Sequence, residues 1–520
     1  MEDPAQADAL VRLLIDTSAT ESSLAKRDAL ITEILHRGMA LPPPLPAHFV
    51  RACMSAPWPD QWARDSILAA LTGDDRWFVD LANQSLRLVE QPDLLRELMF
   101  TMSRWLFLQR ETPSAAARAD IDRTLRRSYR AAADRVVALA GPPAPRRREI
   151  KRVAILTPQI LDTTHAPTRD ALWLAAGLTE RGIEPLVINS NCWPSDSALR
   201  LFQANVATVN EDLRGDQQLD GLGSRWTQPI AIYTPATRST EAASAELVAL
   251  LRDRKFDAVI SHDAPFLQDV AAAQLPLLWI ATGGAVPRGR ADAIWAASEL
   301  LNEEAIQLAK SSGIRIVLRR ELLFTLPEPA QPMARSSIGV ADDDVVLVIA
   351  GNRLPSEIDS SLVAILTPIL LSHPGTVLVL AGHGSEHAAG LFPDVQQQVR
   401  GLGHCAELRG LLAISDVMVN PFRIGGGTSA QTAMADGLPI VTLASGDVGA
   451  VAGTALSSAS TDAFAEKLVL LIENRAAREA ESKRSRARIE ERFNFDKQVD
   501  EIVATLGRLA RDEVQAFEVL

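Results

Sequence analysis

The stretch 420–439, NPFRIGGGTSAQTAMADGLP, holds the residue types that bind an anion. It follows a short apolar run, DVMVN at 416–420, that reads as the end of a buried strand. Gly425, Gly426 and Gly427 then leave no Cβ between the backbone and a ligand. Thr428 and Ser429 suit a helix N-cap. Residues 431–436 read as the helix itself, stopped by Gly437 and Pro439. A strand, a glycine turn and a helix N-terminus together aim free N–H groups and a positive dipole end at one point. Arg423 lies in the same turn and is expected to fork onto phosphate oxygens, which makes a diphosphate the expected anion. The plainer reading is an ordinary strand-to-helix turn with no ligand.

Further candidates sit where other apolar runs end. Asn352 and Arg353 follow VVLVIAG, His383 follows TVLVLAG, and Asp447 ends the segment TLASGD. Arg353 is a cation for a diphosphate, His383 a contact for a base or ribose, and Asp447 an acceptor for a ribose or sugar hydroxyl. His165 lies in DTTHAPTRD after the run VAIL, and a neutral imidazole there could orient a substrate or take a proton. Asp263, in ISHDAP, is a second candidate base, with His262 beside it. Thr282 and Gly283 close the next run, where backbone could approach a sugar. For each of these the bland alternative is a solvated loop residue, a surface ion pair or, for His262, a hydrogen-bonded core histidine. His383, His387 and His404 are too irregularly spaced for a metal site, and no Asp-x-Asp pair stands out. No metal is expected. Cationic side chains and backbone N–H groups are expected to carry the anion instead.

The elements that would position these residues fall into blocks. At 520 residues the chain is expected to hold about three domains. Residues 1–140 repeat apolar positions at three- and four-residue steps, broken by prolines, and show no alternating strand pattern, so an all-helical domain with possible repeat character is expected. GPPAPRRR at 141–148 is a boundary. From 150 to 326 short apolar runs alternate with helical ones, the pattern of a doubly wound α/β domain. LPEPAQPMA at 326–334 is a second link. A second α/β domain is expected over 335–490, and a helix over 491–520 that packs back across the domains.

Composition narrows the class. A hydrophobic content of 47% and a charged content of 23% fit a globular protein. A net charge of −12 argues against a nucleic-acid partner and against an anionic membrane surface. Cys53, Cys192 and Cys405 form neither a disulfide framework nor a zinc pattern and are compatible with the cytosol. MEDPAQADAL lacks the basic n-region and apolar core of a secretion signal, and no run approaches the ~18 apolar residues of a membrane span. Cytoplasmic residence is therefore expected.

The pattern over 151–520 resembles the GT-B class of nucleotide-sugar glycosyltransferases. The segments that carry the likeness are VLVIAGNRLPSEID, TVLVLAG, ELRGLLAISDVMVNP and the glycine stretch through GLPIVTLASGD. The large retaining branch of that class places E-x7-E in this turn, its second Glu binding the donor ribose. Aligned on TAMADG, those positions are Ile424 and Thr432, so both carboxylates are missing. The O-GlcNAc transferase family, with its bacterial adhesin N-glucosyltransferase relatives, is the better match. Small hydroxyl residues at this helix start hold the donor diphosphate there, a role the resemblance gives to Thr428 and Ser429. It also compares Asn352-Arg353-Leu354 and Ile358-Asp359 with a diphosphate-contacting segment, His165 and Pro167-Thr168 with a histidine stretch facing the cleft, and residues 442–447 with the loop after the diphosphate helix. A helical domain ahead of the catalytic pair is typical.

The resemblance implies a metal-independent, inverting enzyme that moves a sugar from a nucleotide donor, UDP by preference, to a protein. No further cofactor is implied. Two other readings stay open: a GT-B enzyme building a surface polysaccharide or lipid-linked glycan, and a non-catalytic module of the same fold.

Overall fold

The structure is a computed structural model that describes residues 4–108, 112–143, 148–161, 165–220, 222, 225–281, 284–321, 323–325 and 331–520. The expected boundaries at 141–148 and 326–334 fall partly outside the described residues, as do Thr282 and Gly283.

Among the described residues of 5–138 the regular elements are all helices, from Ala5–Thr20 to Ala115–Ala138. Their apolar faces carry Leu10, Leu14, Ile31, Phe49, Ile67, Leu95, Leu98, Ile121 and Leu125, all buried. That core does not close on itself. It runs on into the helices Thr240–Asp253 and Leu267–Gln274, and from there into one face of the first sheet.

The strands are β1 Arg152–Thr157, β2 Glu184–Asn189, β3 Gly215–Leu219, β4 Ile230–Thr234, β5 Ala258–Ser261, β6 Leu277–Ile280, β7 Ala293–Ala296, β8 Ile316–Arg319, β9 Val345–Ala350, β10 Thr376–Ala381, β11 Val399–Gly401, β12 Val417–Val419, β13 Ile440–Val441 and β14 Glu518–Val519. The first sheet has the order β14-β8-β7-β6-β5-β1-β2-β4-β3. It is parallel except for β3, which pairs antiparallel with β4. The side-chain period of two divides β1 between two cores: Ala154 and Leu156 face the helical domain's core, and Val153 and Ile155 face the other. Burial on both faces explains why the central strands read as unbroken apolar runs. The second sheet, β11-β10-β9-β12-β13, is wholly parallel. This is the two-domain Rossmann-like arrangement that the sequence pattern implied, behind a helical region.

β3, β8, β11 and β14 do not appear in the sequence reading. β3 is GDQQL, a polar edge strand, and the others are two to four residues long, too short for a period to register. The C-terminal segment returns to the first α/β domain. Helix Phe495–Ala510 buries Phe495, Val499, Ile502, Leu506 and Leu509 in that domain's second core. β14 then pairs with β8, and Glu321 receives Arg492 at 2.9 Å where the chain crosses back.

In each sheet the strand order reverses at one place, and ligands of such sheets bind outside the strand C-termini there. In the second sheet that place lies between β9 and β12, so Gly351 and the 425–427 turn flank it. In the first it lies between β1 and β5, so the loops holding His165 and Asp263 flank it.

Candidate functional site

The glycine turn is built around Arg423. Its side chain is 5% exposed. Nε donates to Asn420 Oδ1 at 3.0 Å, Nη1 to Glu357 Oε2 at 2.6 Å and Nη2 to the Ala350 carbonyl at 2.7 Å. Asn420 donates on to Thr442 Oγ1 at 3.1 Å. One guanidinium thus ties together the C-terminal ends of β9, β12 and β13. This corrects the expectation for Arg423: its fork is closed inside the protein and is not offered to a phosphate. The glycines follow from the same fact. A Cβ on Gly426, whose φ is +105°, would lie 2.6 Å from Arg423 Nη2, and one on Gly351 would lie 2.2 Å from Nη1. Gly425 leaves room for a different cation, since its Cβ would meet Arg353 Nη2 at 3.0 Å.

Gly426, not Thr428 or Ser429, caps the helix, which runs Gly427–Ala435. Only glycine takes the left-handed conformation there without strain. Thr428 and Ser429 instead stand in the first turn, half-buried, and their hydroxyls meet no partner among the described residues. The Ala430 N–H already bonds the Gly426 carbonyl, which leaves the N–H groups of residues 427–429 as the turn's free donors.

Arg353 is the open cation. Its side chain is 36% exposed and lies across Gly425, held by Glu357 Oε1 at 2.8 Å. Buried Glu357 therefore serves two arginines, one beneath the turn and one above it. The sequence reading passed over Glu357, although its spacing of four from Arg353 on a helical turn was visible. Asn352 is exposed beside Gly382, and His383 is exposed in the turn after β10, between Gly382 and Gly384. Asp359 caps the helix Ser360–Ser372 by accepting from Leu362 N at 2.9 Å.

Asp447 stands against the same turn, its N–H donating to the Ile424 carbonyl at 2.6 Å. Burial pushes its carboxyl up to about 6, and Arg423 and Arg353 only partly oppose that. A raised carboxyl binds a proton in the folded chain that it has released in the unfolded one. Stability is therefore lost as pH rises from about 4 to about 6 and stays lost above. Asp447→Asn is expected to stabilise the protein at pH 8, by on the order of 2 kcal/mol, and not at pH 4. Urea unfolding at both pH values checks this, and equal effects at the two would remove the carboxyl's burial as the cause.

The first α/β domain holds the other candidates from the sequence. His165 caps the helix Ala166–Thr179; its Nδ1 lies 2.8 Å from Thr168 Oγ1 and its Nε2 3.4 Å from Gln159 Nε2. Asp170, one turn further, went unremarked in the sequence. Burial raises its carboxyl to about 7, against the pull of Arg169, which suits proton transfer near neutral pH. Asp263 is half-buried at φ +64°, a conformation rare outside glycine, at the C-terminal end of β5. Burial raises its carboxyl too, while Arg288 and Arg126 pull it down. His262 is buried beside Asp263. It is 1% exposed, and burial lowers its pKa to about 4, so it is a neutral core residue.

The helical domain holds these loops in place. Tyr129 donates to Asp269 Oδ2 at 2.5 Å, accepts from Phe266 N at 2.8 Å and stacks on the Phe266 ring at 4.7 Å. Arg126 donates to the carbonyls of Val286 and Pro287. Helix Pro92–Leu108 grips the loop after β2. Glu97 accepts from Ser197 Oγ and Leu199 N, and Phe100 stacks on Trp193 at 4.3 Å. Its far end reaches the second domain, where Arg353 lies 5.5 Å over the Phe107 ring.

No group of three or more metal-ligating side chains occurs among the described residues, and no helix among them is long and apolar enough to cross a membrane.

Residues 344–474, the segment that carries the cradle, match the family model described as Glycosyl transferases group 1. Among solved structures, a mutant O-GlcNAc transferase of Thermobaculum terrenum shares the fold over 99% of this chain and 100% of its own, with 13% identity and a TM-score of 0.54. A putative UDP-N-acetylglucosamine 2-epimerase from Listeria monocytogenes aligns over 71% of this chain and 99% of its own, with 13% identity and a TM-score of 0.44. TarM aligns over 69% and 98%, with 11% identity and a TM-score of 0.44. No curated protein matches by sequence. The chain thus has a GT-B fold resembling that of O-GlcNAc transferase, and residues 344–474 are similar to a group 1 glycosyl transferase domain.

Proposed function

We propose that this chain moves a sugar from a nucleotide-sugar donor, most simply a UDP-sugar, to a protein acceptor, with inversion and without a metal. The observation that carries the reading is the cradle at the second sheet's switch point: free N–H groups at 427–429, the hydroxyls of Thr428 and Ser429, and Arg353 lying open across Gly425. The donor diphosphate would rest there. The acceptor's attacking atom forms a bond to the sugar's anomeric carbon as the bond from that carbon to the diphosphate oxygen breaks. The electron pair leaves with the diphosphate, whose growing charge faces Arg353 and the helix dipole. The acceptor's proton passes to a base on the first domain, for which His165 and Asp263 are the candidates.

Asn352, His383 and Asp447 would contact the nucleotide or sugar from the rim. Ile424 and Thr432 set the chain apart from the E-x7-E branch, because neither can supply its carboxylates. Cytoplasmic residence, where nucleotide sugars are made, is part of the same proposal.

A panel of nucleotide sugars, each incubated with and without EDTA, tests the donor half. One donor is expected to be hydrolysed at equal rates in both. His165→Ala is expected to cut turnover more than nucleotide affinity, and wild-type turnover would remove His165 from the mechanism. Intact-mass measurement of candidate proteins tests the acceptor half. Binding without any turnover would make the chain a non-catalytic module.

A further inference from the structure

Arg104 stands one turn before Phe107 on helix Pro92–Leu108, on the side that meets the second domain. Phe107 underlies the Arg353 guanidinium at 5.5 Å, and its Cζ lies 3.9 Å from where a Gly425 Cβ would be. Arg104 is half-buried and has neither a hydrogen bond nor an ion pair among the described residues. It is within electrostatic reach of Arg353 and Glu357, and burial and Arg353 both pull its pKa below the usual arginine value. Glu357 already pairs with Arg353 and Arg423. Arg104 and Arg353 therefore repel one another, and Glu357, already shared by two arginines, is the carboxylate within electrostatic reach of both.

Asp447 is a second carboxylate within electrostatic reach of Arg353. Asp447 opposes the turn from the helix Gly446–Ala452, and no hydrogen bond joins it to Arg104 among the described residues. Like charges held together cost free energy in the empty protein, which carboxylates already shared with other arginines offset only in part. That cost is recovered when an anion binds between them.

We propose that Arg104 is a ligand for the donor diphosphate, supplied by the helical domain and closing on the anion opposite Arg353 above Gly425. This rests on the donor site argued above. It goes further in making the helical domain part of the leaving-group machinery, in addition to any contact with the acceptor. A diphosphate has two phosphate groups to meet two guanidiniums, and a monophosphate has one. Arg104 should thus discriminate between them. It also sits on the helix that grips the loop after β2, so seating the anion ties both α/β domains together through one element.

Calorimetric titration of the full-length protein with UDP, GDP and dTDP, and with the matching monophosphates, tests this. Arg104→Ala is expected to weaken diphosphate binding roughly 10- to 100-fold, the range of a charge-assisted hydrogen-bond pair, and monophosphate binding much less. Arg104→Lys should recover part of the loss. The melting temperature of the free Arg104→Ala protein should equal or exceed that of the wild type, because a like-charge contact has been removed. Three results would overturn the inference. Wild-type diphosphate affinity in Arg104→Ala, with affinity lost in Arg353→Ala, would leave the donor site standing without Arg104. Equal losses for mono- and diphosphate together with a lower melting temperature would make Arg104 a structural brace. No nucleotide binding by the wild type would remove the donor site itself.

Discussion

Arg423→Ala is expected to destabilise the second α/β domain by about 3–5 kcal/mol, the range measured when one partner of a buried ion pair is removed. Arg423 is 5% exposed and Glu357 is 7% exposed at the side chain, and they meet at 2.6 Å. Removing the guanidinium leaves the Ala350 carbonyl, Asn420 Oδ1 and Glu357 Oε2 without their donor at one time. Each is at the C-terminal end of a strand or just beyond it, where water enters only if the turn opens. Arg353→Ala should behave differently. Its side chain is a third exposed and it pairs with Glu357 from above, so its loss should weaken nucleotide binding with little effect on stability. Denaturant unfolding alongside nucleotide titration separates the two. A stable Arg423→Ala protein whose only defect is diphosphate affinity would return Arg423 to the role its sequence position suggested.

Removing residues 1–140 is expected to give no soluble, folded remainder. From the sequence, the helical block could bind a protein acceptor or simply pack on its neighbour, and if the remainder stayed folded its loss would spare donor hydrolysis but not transfer to protein. The structure argues otherwise, because its helices share one continuous core with helices Thr240–Asp253 and Leu267–Gln274 and with one face of the first sheet. Truncation would bare Leu247, Leu251, Phe266, Leu267 and Val270 on the remaining domain. At about 1.5–3 kcal/mol for each large apolar side chain, the loss matches the whole stability of a typical domain.

Polar losses add to it. Arg27 donates to the Leu201 carbonyl at 2.6 Å, Ser66 Oγ accepts from Phe202 N at 2.9 Å, and Glu97 holds the start of that loop. Expression of residues 141–520 followed by size-exclusion chromatography tests the point. A monodisperse fragment that still hydrolyses donor would show that the shared core is dispensable, and would also count against Arg104 as a donor ligand.

The two results concern one architectural fact. Helix Pro92–Leu108 is anchored on the first domain by Glu97, Phe100, Thr101 and Trp105, and touches the second through Phe107. The helical region therefore bridges the two Rossmann-like domains through one helix.

By itself, the sequence determined whatever depends on local pattern. Unbroken apolar runs marked β1, β5, β7, β9 and β10 because a strand buried on both faces has no polar positions to interrupt it. The glycine turn was recognisable because few residue types permit such a backbone. Its place at the strand ends followed from the alternation of strands and helices. Tertiary structure decided which charges are open and which are closed. Arg353 and Arg423 are both arginines near glycines, and nothing in their neighbourhoods in the chain separates them. Both pair with Glu357; the difference is the Ala350 carbonyl, 73 residues before Arg423, which takes a further arm of its guanidinium. Arg104 is further still from the turn in sequence, on a helix whose own pattern reports only which face is apolar. Burial and pairing are set by what the fold brings alongside, and no local period in a sequence encodes that.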